Sequence, residues 1–374
     1  MMKSLFPKAT AALLALVLVL TLLSGTVLAD NSGSAPVFRK ADLFTERDLL
    51  QEADIYDAET VTVSDGEDIR IDEEGVWVLS GSASEVTVWI DADKEDKVHL
   101  VLDGLAIANE SFPCIYVVTA DKVFITVKSD SSLSVSGAFI KDGGTKTDGV
   151  IYSKQDLVLN GTASLAVDSS AHGIVCKDDL KITGGTWNID AVKKAISAND
   201  SIRIAGGTLN LTAGTDGIHA ENKDDDSLGY IWIGDGTVNI SAGDDGIHAV
   251  SVLQIDGGAF NISAAEGLEA TMVQVNSGTI RVTAAENGVN ATEKSSVWDS
   301  AAVFNGGETT VNAEQEDADG VDSKGDICIN GGTLDVSGKN PFKCAGAASL
   351  NGGTLIVNGE AADAVPVSQA GSKN

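Results

Sequence analysis

Acidic residues recur at one position of a repeated unit. In "SIRIAGGTLNLTAGTDGIHAEN", residues 201–222, two alternating apolar runs flank Gly-Gly-Thr, and Asp-Gly opens a third run. In successive units the residue before that third run is Lys194, Asp216, Asp245, Glu266, Asn287 and Asp319, and the preceding position adds Asp244 and Glu286. Stacked strands lie about 4.8 Å apart, so adjacent carboxylates repel one another unless a counterion separates them. Calcium binds six to eight oxygens, and we expect a calcium site at Asp216, Asp244, Asp245 and Glu266.

Two further groups of aspartates offer oxygen ligands. The insertion "NKDDDSLG" contains Asp224, Asp225 and Asp226, and "DGVDSKG" contains Asp319 and Asp322. None of these groups matches the spacing of an EF-hand loop. Asp-Gly is also a common turn pair and a charged insertion is commonly solvated, so every acidic group has a purely structural alternative.

A polar strip is expected beside the acidic positions. The outward position of the third run reads Tyr116, Tyr152, Val175, Ser197, His219, His248, Glu269, Asn290, Asp322 and Lys343. Sugars are bound by hydrogen-bonding side chains and an aromatic face. The candidate carbohydrate-binding residues are therefore Tyr152, His219, His248, Glu269 and Asn290, together with Trp232, which is predicted to face outward on another strand. Outward rows of similar residues also stabilise stacked strands by themselves. Two stacked histidines without a third ligand make a weak transition-metal site.

The elements that position these residues are short stacked strands. Gly-Gly-Thr-like turns recur mostly every 20 to 25 residues, and the pieces between them alternate with period two. A repeat of about 22 residues with three strands is typical of a parallel β-helix. One inward position holds large aliphatic residues, reading Ile151, Ile174, Ile196, Ile218, Ile247, Leu268, Val289, Val321 and Phe342. The sequence thus predicts an all-β, single-stranded parallel β-helix of about ten to twelve coils.

Four segments are expected along the chain. Residues 1–29 have lysines before a short apolar stretch and small residues before a cleavage position, which is typical of a signal peptide. Residues 30–59 are predicted to be an N-terminal linker and cap, in which Thr45 and Asp48 open a short helix. Residues 60–360 form the β-helix, and residues 361–374 form a flexible tail. We therefore expect a secreted protein, extracellular or associated with the cell surface, without an integral membrane anchor and monomeric.

The composition argues against some partners. The formal net charge of −30 makes nucleic acid an unsuitable partner. The carboxylates serve either as a solvated surface or in part as cation ligands. The four cysteines, Cys114, Cys176, Cys328 and Cys344, have neither the spacing of a disulfide framework nor that of a zinc site. Cys176 and Cys344 fall on a small inward position, and Trp187 is also predicted to lie in the core.

Four stretches carry a family resemblance. "DKVHLVLDGLAIAN", "IYSKQDLVLNG", "DGIHAENKDDDSLGYIWIGDGTVNI" and "DGVDSKGDICINGGTLDVSG" resemble the carbohydrate-binding β-helix family of clostridial cell-surface proteins. The resemblance covers roughly residues 60–355. It implies a right-handed, pectate-lyase-like β-helix, bound calcium, and binding of plant cell-wall polysaccharides such as cellulose and polygalacturonate. One departure is "NPFKCAG" near the C-terminus, where the family has an acidic motif. It weakens the case for a cation site in the last coil.

Three functions fit these observations. A non-catalytic polysaccharide-binding protein needs only the polar strip and calcium bridges to acidic sugars. A calcium-dependent pectate lyase acting by β-elimination needs a base, for which Lys194 beside Asp216 is the candidate. A structural surface adhesin needs neither. The sequence favours the binding protein, because it shows no arginine-lined cleft.

Overall fold

The structure is a computed structural model that describes residues 35–367, so the predicted signal peptide lies outside the described residues. Its two helical turns are an α-helix, α1 (Lys40–Leu43), and a 3-10 turn, Arg47–Leu49. The strands in the first part of the chain are β1 (Glu59–Thr62), β2 (Ile69–Ile71), β3 (Gly75–Ser84), β4 (Val88–Asp91), β5 (Lys97–Asn109), β6 (Ile115–Thr119), β7 (Lys122–Ser129), β8 (Ser131–Val135), β9 (Gly149–Ser153), β10 (Asp156–Gly161), β11 (Ser164–Ser169), β12 (His172–Cys176), β13 (Asp179–Ile182), β14 (Thr186–Ala191), β15 (Ile196–Ala198), β16 (Ser201–Ile204), β17 (Thr208–Ala213) and β18 (Ile218–Ala220). The remaining strands are β19 (Tyr230–Ile233), β20 (Thr237–Ala242), β21 (Asp245–Ala249), β22 (Val252–Ile255), β23 (Ala259–Ala264), β24 (Glu266–Ala270), β25 (Met272–Val275), β26 (Thr279–Ala284), β27 (Val289–Ala291), β28 (Ala301–Phe304), β29 (Glu308–Ala313), β30 (Asp319–Ser323), β31 (Asp326–Ile329), β32 (Thr333–Ser337), β33 (Asn340–Cys344), β34 (Ala348–Leu350), β35 (Thr354–Val357) and β36 (Glu360–Ala362).

From β6 to β32 each strand pairs in parallel with the strand three places later in the chain, which makes three ladders. The first ladder is a separate twelve-stranded sheet, called here the site sheet, and it runs β2-β4-β6-β9-β12-β15-β18-β21-β24-β27-β30-β33. The second ladder runs from β7 through β10 and β13 to β34, and the third runs from β8 through β11 and β14 to β35. These two ladders form a single 24-stranded sheet, because the long strand β5 pairs with both β7 and β8. The prediction of an all-β chain of stacked parallel strands, three to a repeat, is confirmed.

The predicted inward columns line one hydrophobic core, to which all three ladders contribute. Ile218 is 0% exposed and is paired with Ile196 on one side and Ile247 on the other. Trp187 is buried in the same core, as predicted. The four cysteines are free, and Cys176 is fully buried on the small inward position. Stacking of like residues in register therefore builds the core, as the repeat indicates.

Glycine is required at the turn between the second and third ladders. Gly207 has a φ of +102°, a conformation that side chains with a Cβ rarely adopt. A Cβ on Gly207 would also lie 3.0 Å from the carbonyl oxygen of Gly185 in the preceding coil. From β10 onward every turn between these two ladders contains glycine, which lets the turns stack closely and explains the recurring Gly-Gly-Thr.

The N-terminal segment lies along the side of the stack. Residues 35–51, called here the strap, cross the outer face of the second ladder. The amide N–H of Phe38 donates to Gln254 Oε1 at 2.8 Å, and Gln254 Nε2 donates back to the Phe38 carbonyl at 2.9 Å. Ala35 is bound one rung further on, through Gln274. The segment predicted to be a linker and cap therefore covers a flank of the ladder.

Asp48 anchors the other end of the strap. Thr45 and Asp48 exchange the expected hydrogen bonds, N–H of Thr45 to Asp48 Oδ2 and N–H of Asp48 to Thr45 Oγ1, at 2.9 and 3.3 Å. They open only the 3-10 turn, so the predicted helix is a single turn long. The Asp48 carboxylate is 0% exposed, and it accepts a hydrogen bond from Lys181 Nζ at 2.7 Å. Lys122 Nζ lies 3.7 Å away.

The predicted C-terminal boundary falls inside a strand. β36 pairs antiparallel with β35, so residues 361 and 362 belong to the sheet and not to a tail. Residues 368–374 lie outside the described part of the chain. Within residues 35–367, no helix is long and apolar enough to cross a membrane.

Candidate functional site

The outward residues of the site sheet form a single column across its strands. Pairing places them in the order Trp89, Tyr116, Tyr152, Val175, Ser197, His219, His248, Glu269, Asn290, Asp322 and Lys343. The predicted register is confirmed. The sequence interpretation began the column at Tyr116 and missed Trp89 and Arg70, which occupy the same position in the two preceding strands of the sheet.

A cleft of about 590 Å³ opens over the middle of this column. Tyr152 and His219 contribute to its floor. Four lysines also line it, namely Lys146, Lys177, Lys194 and Lys223, together with the carboxylates Asp148, Glu221 and Asp224. The lysines come from turns and from the 222–229 insertion, and they do not recur at one position of the repeat. Sequence reasoning therefore missed this cluster of cations, of which it had considered only Lys194.

Lys177 is the cation of the cleft that is most available to a ligand. Lys146 pairs with Asp148 at 2.6 Å, and Lys194 pairs with Asp216 at 3.0 Å. Within residues 35–367, Lys177 makes no ion pair, and its exposed ammonium lies 5.9 Å from the centroid of the Tyr152 ring. An ammonium next to an aromatic ring in an open cleft is suited to an acidic sugar.

Aromatic rings cluster at one end of the column, and of these rings Tyr152 lines the cleft. Trp89 and Phe112 stack with centroids 5.2 Å apart, and Tyr116 contacts Tyr152 edge-on at 5.8 Å. Tyr152 is only 3% exposed, so its ring does not offer the open face that was expected. Trp89 and Phe112 are half-buried and present the accessible aromatic surface. The sugar-stacking role predicted for Tyr152 is therefore better suited to these two rings.

The prediction that Trp232 faces a ligand is wrong. Its side chain points away from the core, as the alternation indicates, but it is only 1% exposed. Phe44 of the strap packs on it at 5.6 Å, and its indole N–H donates to Asp256 Oδ2 at 2.8 Å. The strap covers this face, so Trp232 serves as a docking residue within the fold.

The two histidines of the column lie at the centre of a charged cluster. The His219 and His248 rings are 4.4 Å apart between centroids. His248 Nδ1 lies 2.5 Å from Asp245 Oδ2 and 2.9 Å from Glu269 Oε2. Lys294, from the second insertion, lies 3.0 Å from Glu269. The positive charge of Lys294 thus partly neutralises the acidic cluster. The sequence alone showed Lys294 only as a residue of an insertion and did not predict this role.

The charges of this cluster shift several pKa values. Burial alone lowers the pKa of a histidine, but Asp245 and Glu269 raise the pKa of His248 to about 9. Burial would raise the pKa of Glu269, yet His248 and Lys294 lower it to about 2. Burial and the negative charge of Glu269 raise the pKa of Glu266 to about 7, against the hydrogen bond from Asn290. The carboxylates around His248 therefore favour its protonated form, and burial together with the charge of Glu269 favours the protonated form of Glu266.

Three of the four acidic residues predicted to bind calcium come together. Ligand oxygens of Asp216, Asp244 and Asp245 lie within 4.8 Å of one another. Opposite oxygens around a calcium ion are about 5 Å apart, so this spacing fits the ion. Glu266 is not in this group. Its two carboxylate oxygens accept hydrogen bonds from Asn287 and Asn290, each at 2.8 Å.

Turn geometry does not explain the glycine that follows each aspartate. Gly217 does not have the positive φ of a turn glycine. A Cβ on Gly217 would lie 2.5 Å from Ile240 Cγ2 and 2.7 Å from the carbonyl oxygen of Gly246. Glycine is needed there because the next coil packs against it. The alternative that Asp-Gly serves only as a turn pair is therefore weakened, and Asp216 needs another explanation.

Comparison with known proteins identifies the family. Residues 65–273 and 266–364 match the model of a family described as carbohydrate-binding domain-containing protein. The chain belongs to this family. A relative of the same description from Acetivibrio thermocellus is 32% identical over 136 residues, which are 35% of this chain and 47% of the relative. The match thus spans about half the length of that relative.

A solved structure is also similar to the carbohydrate-binding domain. It is the polysaccharide lyase-like protein from C. thermocellum, determined as a gadolinium derivative. The two chains are 28% identical with a TM-score of 0.53, and the match covers 60% of this chain and 96% of the other. The fold is therefore polysaccharide lyase-like.

The acidic insertion does not gather its carboxylates. Asp225 Oδ1 accepts a hydrogen bond from the amide of Ser227 at 3.0 Å, and Asp226 Oδ2 accepts one from the amide of Ser296 at 2.8 Å. Asp224 lines the cleft separately. Of the residues described, none of these three belongs to a cluster with metal-ligand spacing. The Asp226 contact instead ties the two insertions together beside the histidine cluster.

The last acidic pair of the carbohydrate-binding domain is neutralised by lysine. Lys343 Nζ lies 2.8 Å from Asp319 and 2.9 Å from Asp322, and Lys324 lies 3.0 Å from Asp322. Lys343 belongs to the "NPFKCAG" departure. The ammonium group of Lys343 thus occupies the place where a metal ion would bind. This agrees with the departure in the sequence, which weakens the case for a cation site in the last coil.

A second groove lies on the third ladder. It has a volume of about 550 Å³, and Asn188, Asn210, Asn239 and Asn261 line it in a row. Asn210 donates to Asn188 at 2.8 Å and Asn239 donates to Asn210 at 2.9 Å, so the row is bonded along its length. No aromatic or cationic side chain lines this groove. The cleft on the site sheet is therefore the better candidate for a charged sugar.

Proposed function

We propose that this protein is a secreted, non-catalytic polysaccharide-binding protein that takes acidic plant cell-wall polymers in the cleft of the site sheet. The observation that carries the proposal is the group of four lysines in one cleft of a chain with a net charge of −30. A polyanion would be repelled by most of the surface, so a local concentration of cations is where it would bind. Polygalacturonate is the polymer that best suits such a cleft.

Contacts within the cleft favour a uronate ring near Tyr152. The exposed ammonium of Lys177 can pair with a carboxylate of the polymer, since no carboxylate of residues 35–367 pairs with it. Outside the cleft, Trp89 and Phe112 pack on Tyr116 and extend the aromatic surface at this end of the column. A neutral polymer such as cellulose would rely on these two rings and on hydrogen bonds from the column.

Calcium is proposed as the cofactor of Asp216, Asp244 and Asp245. Their oxygens have suitable spacing, and Asp244 is exposed and accessible to an ion. Bound there, calcium would add positive charge close to Lys194 and the cleft, and would link protein carboxylates with those of the polymer. An ion bound only by the folded state also raises the melting temperature.

The fold proposed for this function is a single right-handed parallel β-helix. One continuous core to which all three ladders contribute supports closure of the coils. Its regular stacking gives neighbouring coils of the site sheet a spacing of about 4.8 Å. If the sugar rings of a bound polymer repeat at about this distance, or at a multiple of it, successive sugars can contact successive coils.

The proposal is tested by retention on immobilised polygalacturonate. Lys177→Ala should weaken binding about fivefold, because an exposed ion pair contributes about 1 kcal/mol. The matched control is Lys128→Ala, which removes one charge from another ladder, where Lys128 pairs with Asp103. Equal weakening by both substitutions would mean that only overall charge matters and that the cleft is not the site.

A calcium-dependent lyase is the second candidate. Lys194 lines the cleft, and burial lowers its pKa, although Asp216 opposes this. Both features suit a base that removes a proton next to a sugar carboxylate. Its ion pair with Asp216 at 3.0 Å instead suits a structural role. Ultraviolet absorbance from unsaturated products, present in the parent and absent from Lys194→Ala, would establish the lyase.

A further inference from the structure

His219 is a buried residue whose ring nitrogens make no well-aligned hydrogen bond within residues 35–367. It is 6% exposed, and neither ring nitrogen makes a hydrogen bond. Asp216 Oδ2 lies 2.7 Å from Nδ1, but out of line for a hydrogen bond, and Glu221 Oε2 lies 3.6 Å from Nε2. Buried polar atoms are nearly always hydrogen-bonded, so a ring that faces carboxylates without an aligned hydrogen bond at either nitrogen points to a missing ligand.

We propose that His219, His248 and Asp216 form a binding site for a divalent transition-metal ion of the zinc class. Each residue offers one ligand atom, and the three atoms lie within 4.8 Å of one another. The third ligand that the two histidines lack in the sequence pattern is thus supplied by the turn column. Imidazole and carboxylate are ordinary zinc ligands, and a fourth position would remain open to water or a sugar oxygen.

The distances require a small closure of the side chains. Ligands of a tetrahedral zinc ion lie about 2.1 Å from the metal and so roughly 3.4 Å from each other. The three ligand atoms are now up to 4.8 Å apart. Side-chain rotations that move each ligand atom by about 1 Å toward a common centre would bring them to the distance that zinc requires. Lys194, which now pairs with Asp216, is 23% exposed in its side chain and can turn toward solvent.

Neighbouring groups already orient the second histidine. His248 Nδ1 faces Asp245 and Glu269, which leaves Nε2 as its ligand atom once the metal has displaced the proton on that nitrogen. A carboxylate on the far nitrogen is the usual support of a metal-bound imidazole. The carboxylates Asp216, Asp245 and Glu269 also supply the negative charge that a divalent ion needs in a half-buried place.

This site is distinct in its ligands from the proposed calcium site. Calcium takes oxygen ligands, and its group contains Asp244 but neither histidine. The zinc-class group contains both histidines but not Asp244. They share Asp216, so the two ions are expected to compete. The inference does not depend on polysaccharide binding.

The test measures binding of Zn²⁺ alone by calorimetry and of Co²⁺ alone by visible absorption. The parent should bind one equivalent of each, and cobalt should show the bands of tetrahedral coordination. His219→Gln and His248→Gln should each weaken Zn²⁺ binding at least tenfold. The matched control is His172→Gln, a half-buried histidine of the same sheet outside the cluster, which should leave Zn²⁺ binding unchanged.

Asp244→Asn separates the two metal proposals. It should reduce the rise in melting temperature caused by calcium and leave Zn²⁺ binding intact, whereas His219→Gln should do the reverse. Far-ultraviolet circular dichroism checks that each variant is folded. Absence of Zn²⁺ binding in the parent, or equal Zn²⁺ binding in a folded His219→Gln/His248→Gln double variant, would overturn the proposal without affecting the polysaccharide experiments.

Discussion

At the scale of the residue, the aspartate and the glycine of each Asp-Gly pair have different tasks. Gly217 is fixed by packing, since a Cβ would meet the backbone of the next coil. Asp216 is fixed by charge, because it lies against His219 and Lys194. Burial would raise the pKa of Asp216, but the contact with His219 and the charge of Lys194 hold it below its usual range. One short motif thus serves both the core and the site.

Replacing this glycine should destabilise the fold. Gly217→Ala places a methyl group 2.5 Å from Ile240 Cγ2, and overpacking of this kind costs about 1–3 kcal/mol. Chemical denaturation measures the loss. Gly144→Ala is the control, because its new methyl group meets nothing within 4 Å and the backbone there is unstrained. Equal stability of the two variants would contradict the packing role of Gly217.

At the scale of the element, the strap is held by contacts that no repeat could reveal. Its partners Lys181 and Gln254 are 133 and 216 residues away in the chain. The alternation correctly predicted that Trp232 points away from the core, but not that Phe44 covers it. The inward columns, in contrast, follow from a repeat that recurs in every coil. Sequence therefore predicted what the repeat imposes, and missed the strap and Lys294, which depend on single contacts.

Loss of the Asp48 carboxylate should release the strap. Asp48→Asn removes the buried counterion of Lys181, whereas Lys122 keeps Asp156, and breaking a buried pair costs about 3–5 kcal/mol. Trp232 then becomes exposed, so we expect its fluorescence to shift to longer wavelength and residues 35–51 to become sensitive to protease.

Asp42→Asn is the control for this prediction. Asp42 pairs with Arg39 within the strap, but both side chains are more than half exposed, so its loss should cost less than about 1 kcal/mol. Similar fluorescence and protease sensitivity in the two variants would show that Asp48 does not hold the strap.

At the scale of the whole molecule, acidity limits which polymers can approach. The net charge of −30 is spread over the chain, while the four lysines of the cleft are local. Salt screens such charges over about 8 Å at physiological ionic strength, so the surface still repels a polyanion at close range. The cleft and a bound cation together would overcome this repulsion.

Polygalacturonate binding should therefore require calcium, and cellulose binding should not. Asp216→Asn with Asp245→Asn should weaken retention on polygalacturonate and leave any retention on cellulose unchanged, because cellulose is neutral. Affinity electrophoresis with each polymer, in calcium and in EDTA, makes the comparison. Tight binding to polygalacturonate in EDTA would contradict the calcium bridge. The lysines of the cleft would then be the source of the attraction.

The strap also has a consequence for the order in which the chain matures. The Ala35 carbonyl accepts its hydrogen bond from Gln274, 239 residues later. During synthesis, each coil can stack on its predecessor soon after it leaves the ribosome, since neighbouring coils are close in sequence. The strap must wait until about three quarters of the chain has been made. Until then the flank of the second ladder, with Trp232 on it, stays open to chaperones and to other nascent chains, so the earliest residues of the described chain are among the last to reach their final place.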